Sequence, residues 1–176
     1  GPNYFSDSSE NVWVDDQGRL HLKITRREDR WYCAEVISKQ SFGYGTYRFY
    51  LDSTIDNLDP NAILGLFTWN NDDPAYNHRE IDIECAKWGN AKDSNNAQFV
   101  VQSSTSPGHM IRFQVPEGLN ATTYSFTWKS DSIFFRSLKG HDATPPDANE
   151  VIKEWTFSKQ GVPPAGGENA RLNLWL

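Results

Sequence analysis

The 176 residues carry a net charge of -6, with 17 Lys and Arg scattered among 23 Asp and Glu. That distribution offers no basic track for a phosphate backbone, and no apolar run reaches the ~18 residues of a membrane-spanning helix, so neither nucleic acid nor a membrane is an expected partner. The length suits one compact domain over 1–176 with its own core.

Aromatic residues make up 14% of the chain and include seven Trp. This exceeds what a core of this size needs and suits a protein that stacks on the apolar faces of sugars, although packing is the expected role of most of the tryptophans. Cys33 and Cys85 are too few for a disulfide framework and lack the spacing of a zinc site. The chain opens at Gly1-Pro2 without a signal-peptide pattern, as a processed chain does, which is no argument for the cytoplasm.

Period-two alternation predicts the first strands: Leu20, Leu22 and Ile24 alternate with polar residues over 19–25, and Tyr47, Phe49 and Leu51 do so over 46–51. Further strands are predicted over 31–39, 62–69, 80–85, 97–102, 110–115, 124–129, 132–137 and 170–175, each short and rich in β-branched and aromatic residues. Ser130-Asp131 joins two of them as a hairpin. The segments 142–149 and 161–169 carry Pro, Gly and Asp without apolar periodicity and are expected loops. Many strands and no βαβ rhythm predict an all-β, antiparallel β-sandwich of the jelly-roll kind.

The informative segment is His78-Arg79-Glu80-Ile81-Asp82-Ile83-Glu84. On a strand, alternate side chains point to opposite faces, so Glu80, Asp82 and Glu84 share one face while Ile81 and Ile83 enter the core. Three carboxylates side by side repel one another and raise the cost of ionising each neighbour, which no structural purpose requires. Three readings stay open on the residues alone: a pair of catalytic carboxyls, a calcium site built from carboxylate oxygens, and a solvated strand face. Positions i and i+4 of a flat strand lie about 13 Å apart, whereas a retaining glycosidase holds its carboxyls about 5 to 5.5 Å apart. Catalysis therefore predicts a concave sheet with a cleft across it. Parity also sends Cys33, on the face of Glu35, and Cys85, opposite Glu84, to different faces, which predicts two free thiols.

Glu80-Ile81-Asp82-Ile83-Glu84 resembles the catalytic strand of glycoside hydrolase family 16, the laminarinase and lichenase group. The resemblance extends to Cys33-Ala34-Glu35 with Phe42-Gly43-Tyr44-Gly45-Thr46-Tyr47 upstream, to Leu66-Phe67-Thr68-Trp69, and to Asn173-Leu174-Trp175 near the end. It implies a concanavalin-like jelly roll with a concave substrate cleft. It also implies a retaining, endo-acting hydrolase of a β-linked polysaccharide, a β-glucan or a related plant or algal glycan. Glu80 would be the nucleophile, Glu84 the general acid and base, and Asp82 the residue that tunes the nucleophile. Glu35, Trp69, His78, Gln98 and Trp175 would hold sugar.

His78 stands where the family often has Trp, Ile37 where some members have Arg, and Val100 where Asn can stand. The sugar and linkage therefore do not carry over. No cofactor is expected, a structural calcium stays open, and a secreted protein, extracellular or periplasmic, is implied. Family members usually have one more strand before Gly1 and one after Leu176, so the domain is expected to be trimmed at both ends or to pair its edges with another copy. The alternatives are transglycosylation on the same scaffold and a lectin-like domain that binds without turnover.

Overall fold

The computed structural model describes residues 3–141 and 146–176, which leaves Gly1-Pro2 and part of the expected loop 142–149 outside the described residues. In chain order the strands are β1 (Tyr4–Phe5), β2 (Val12–Val14), β3 (Leu20–Leu22), β4 (Thr25–Arg27), β5 (Arg30–Ile37), β6 (Gly45–Leu51) and β7 (Ile63–Trp69). They continue as β8 (Ile81–Ala86), β9 (Ala97–Val101), β10 (Met110–Phe113), β11 (Thr122–Trp128), β12 (Ile133–Lys139), β13 (Val151–Phe157) and β14 (Asn169–Trp175). A short 3-10 helix, Pro74–Arg79, lies between β7 and β8. No helix among the described residues is long and apolar enough to cross a membrane.

Two sheets face each other, with a small β2–β3 hairpin beside them. The front sheet runs β1-β5-β14-β7-β8-β9-β10, with β4 also paired to β5, and the back sheet runs β13-β12-β11-β6. Every pairing is antiparallel except β1 with β5. Chain neighbours such as β5 and β6 lie in opposite sheets, and β14 returns to sit between β5 and β7. That crossing, sheet-switching path is a jelly roll.

The core fills the space between the sheets. The front sheet contributes Leu66, Ile81, Ile83, Phe99 and Phe113, and the back sheet contributes Tyr47, Tyr124, Phe126, Trp128 and Phe135. Phe99 stacks on Phe135 across the sandwich with ring centroids 5.0 Å apart, and Tyr47 stacks on Phe126 at 4.8 Å. Such ring pairs add about 0.5–1.5 kcal/mol each to the burial of their area. The predicted hairpin joins β11 to β12, and Lys129 N–H donates to Ser132 O at 2.8 Å to close its two-residue turn.

The expectation that most tryptophans pack the core is corrected. Trp128 is fully buried and Trp155 packs against the core, but Trp31 and Trp88 are exposed and Trp69 and Trp175 line a cleft. Both cysteines are free and buried. Cys85 lies between the sheets, while Cys33 turns its Sγ to Asn3 Oδ1 at 3.4 Å. Burial pushes the Cys85 thiol up to about 12 and raises the Cys33 thiol as well.

Candidate active site

Strict alternation of acid and isoleucine positions the acids. Ile81 and Ile83 are wholly buried between the sheets, so the parity of β8 turns Glu80, Asp82 and Glu84 onto the opposite face of the front sheet. There they line a cleft of about 390 Å³. The neighbouring strands supply its floor and walls by the same parity: Glu35 from β5, Gly65, Phe67 and Trp69 from β7, and Arg171, Asn173 and Trp175 from β14. Register fixes their order, since Glu84 lies opposite Gly65, Gly65 opposite Asn173, and Asn173 opposite Glu35. Gly65 keeps this row open because a Cβ there would collide with Asn173 Oδ1.

The three acids occupy unlike environments. Asp82 is enclosed, and burial together with the charges of Glu80 and Glu84 drives its carboxyl well above the usual range. That shift favours its protonated form, and its Oδ2 accepts from Gln102 Nε2 at 3.2 Å. Burial also pushes Glu80 up, to about 7, with the Glu84 charge adding to the rise. The hydrogen bond from Asp82 and the Arg171 guanidinium act the other way and favour the Glu80 anion. Glu84 is raised by burial and held back by the amide of Gln98, which donates to its Oε2 at 2.6 Å, and by the Arg112 charge.

Across the cleft, Glu35 is fully engaged. Its Oε1 pairs with Arg171 at 3.1 Å and its Oε2 accepts from Asn173 Nδ2 at 3.1 Å, while Arg171 also donates to Asn71 Oδ1 at 3.0 Å. Ile37, which stands where the resemblance allows an arginine, has Arg171 as its direct cross-strand partner. The cation stands one strand over.

Each of the other predicted sugar-holding residues has a defined place. Trp69 and Trp175 line the cleft, and Trp175 meets Trp88 edge to face at 6.0 Å. Gln98 reaches the cleft through Glu84. His78 does not line it: the ring lies flat on Trp69 at 4.1 Å, and its Nδ1 bonds Asn70 O at 2.9 Å, so His78 supports the indole from one side. Val100, opposite Asp82 on β9, is fully buried. Among the described residues, no three His, Cys, Asp or Glu are grouped so as to hold a metal ion.

No protein-family model matches the chain. Over 125 residues, 68% of its length, it is 29% identical to the endo-1,3-1,4-β-glycanase ExoK of Rhizobium meliloti (strain 1021). It covers 44% of that protein, so the chain spans less than half of this curated relative. Among solved structures, the Bacillus licheniformis β-glucanase superposes with a TM-score of 0.66 at 23% identity, over 95% of this chain and 70% of that one. A prokaryotic β-1,3-1,4-glucanase (lichenase) from a mouse hindgut metagenome does so with a TM-score of 0.63 at 22% identity, over 94% and 70%. The chain shares the jelly-roll fold of these structures.

Several residues in and around the cleft carry no local signal in the sequence. Arg171 and Asn173 alternate on β14 as any half-buried strand would, and only the pairing of β14 with β5 and β7, more than 100 residues away in sequence, brings them to Glu35. Gly65 reads as a weak point in a strand, but a glycine inside a strand pattern is itself a sign of close approach. Arg112 is one cation among scattered others until β9 and β10 pair.

Proposed function

We propose that this chain is the catalytic domain of a retaining, endo-acting glycoside hydrolase that cleaves a β-linked polysaccharide, a β-glucan or a related glycan. The observation that carries the reading is geometric: Glu80, Asp82 and Glu84 share one face on the floor of an aromatic-lined cleft, Asp82 is enclosed between its two neighbours, and Gln98 holds Glu84 at 2.6 Å. A solvated strand face has no use for an enclosed aspartate. The sequence similarity to ExoK supports the same reaction class.

In the first step Glu80 attacks the anomeric carbon as a carboxylate, while Glu84 gives its proton to the glycosidic oxygen and the leaving sugar departs. Asp82 stabilises Glu80 as an anion and then as a leaving group. In the second step Glu84, now a carboxylate, takes a proton from water. The hydroxyl oxygen attacks the same carbon and Glu80 is released. Trp69 and Trp175 offer flat apolar faces to the sugar rings on either side. Such a protein meets its polymer outside the cytoplasm, and we assign it an extracellular or periplasmic location.

The test is release of reducing sugar from soluble laminarin, mixed-linkage glucan, xyloglucan, agarose, carrageenan and a galactan, with Glu84→Gln alongside. The expected result is release from one of them, lost in the variant, with a product that keeps the β configuration on NMR. Inverted product would exclude the covalent route. Binding without release would favour the lectin-like reading, and products longer than the substrate would favour transglycosylation.

A further inference from the structure

The group that donates to Glu84 is itself held from behind. Gln98 Nε2 donates to Glu84 Oε2 at 2.6 Å, and Gln98 Oε1 accepts from Arg112 at 2.8 Å and from the Trp88 indole N–H at 3.2 Å. Two donors on the carbonyl end leave the amide one orientation. Turned over, it would face its NH2 at a guanidinium and an indole N–H and present lone pairs to a carboxyl oxygen. Arg112 is equally fixed, because its second terminal nitrogen donates to Asp93 Oδ2 at 2.9 Å, Asn95 O at 2.9 Å and Ala86 O at 3.3 Å. Backbone N–H donation from Asn95 lowers the Asp93 carboxyl, as does Arg112, so the pair stays charged. Glu84, Gln98 and Arg112 are successive cross-strand partners on β8, β9 and β10, and the sheet register places them in one row.

We infer that Arg112, anchored by Asp93, is a positioning residue for Glu84: by locking the Gln98 amide it keeps Oε2 occupied as an acceptor and leaves Oε1 to carry and deliver the proton. The inference rests on the hydrolase reading for its kinetic consequence, but the linkage between Arg112 and Glu84 does not. The charged and polar groups facing Glu84 are few. Glu80 and Asp82 share its strand, and Gly65 on β7 presents no side chain. Asn173 with Arg171 on β14 and Glu35 on β5 lie beyond, and Gln98 and Arg112 close the other side. Arg112 is therefore the cation on the β9–β10 side, opposite Arg171.

The test uses Arg112→Met and Arg112→Lys, each checked by thermal unfolding. The cleaved glycan is compared with its 2,4-dinitrophenyl glycoside, whose leaving group needs no proton. For Arg112→Met, kcat/KM on the glycan should fall roughly 10- to 100-fold with its alkaline limb moved to higher pH, and the dinitrophenyl glycoside should be nearly unaffected. Lys should restore the limb but only part of the rate, because it keeps the charge and loses the fork. Equal losses on both substrates with an unmoved limb would overturn the inference. Carbon-13 NMR titration of Glu84 gives an activity-independent readout: an upward shift in Arg112→Met supports the linkage, and an unchanged Glu84 refutes it. A wild-type protein that cleaves no glycan, with the shift still present in Arg112→Met, would refute the hydrolase reading alone.

Discussion

Replacing Glu80 with Gln should remove turnover and, at pH 8, make the protein more stable. Gln keeps the shape of Glu and an oxygen that accepts the Asp82 hydrogen bond, but it cannot attack an anomeric carbon, so hydrolysis should drop roughly 1,000-fold or more. The stability gain follows from burial, which raises Glu80 from 4.5 to about 7. Between those values the native state holds a proton that the unfolded chain has released, so stability falls as pH rises through about 4.5 to 7 and stays lowered above. Removing the charge should recover on the order of 2 kcal/mol at pH 8 and nearly nothing at pH 4, or roughly 5 °C in Tm at the higher pH. Melting curves at the two pH values read this directly. An unchanged difference between wild type and variant across the range would mean that Glu80 is not the strained group of the triplet.

Arg171→Met should be destabilising and should also disturb the pH profile. The Arg171–Glu35 pair is largely enclosed, with the two side chains 10% and 21% exposed, so losing the arginine leaves a carboxylate with Asn173 as its remaining partner. Breaking one side of such a pair costs about 3 kcal/mol. Arg171 also favours the Glu80 anion, so its loss should raise the Glu80 pKa further and move the acidic limb of kcat/KM to higher pH. Chemical denaturation and a pH–rate profile separate the two effects. Adding Glu35→Met should return most of the stability, since no buried charge is then left unpaired, and should leave the limb displaced. A limb that moves back with the second substitution would assign the shift to distortion and not to charge.

The face of the acids was legible from five residues, because two isoleucines between three acids admit one orientation on any sheet with a core behind it. The hairpin of β11 and β12 was legible for a similar local reason, a two-residue polar turn between alternating runs. β13 was missed although its sequence is strongly apolar. The register shift between Ser137 and Leu138 breaks the alternation, so that both Ile152 and Trp155 pack against the core. β1 and β2 are two and three residues long, below the length at which periodicity means anything. The 3-10 turn of Pro74–Arg79 carries no periodic pattern, and Asn77, His78 and Arg79 all take the left-handed conformation, with φ of 49°, 58° and 56°. That conformation, rare for non-glycine residues, turns His78 onto Trp69 and has no signal in the side chains. The tryptophans were misassigned because size and hydrophobicity are common to a core ring and a sugar platform, and only the register of the front sheet tells them apart.

The two sealed thiols carry a practical consequence. With Cys85 enclosed between the sheets and Cys33 buried under Asn3, neither sulfur offers a thiolate to an oxidant or an alkylating reagent while the sandwich is closed. The domain can thus be produced in a reducing host and handled without protection from air. Its cysteines also form a built-in clock: reagent uptake at Cys85 should proceed at the pace at which the two sheets part.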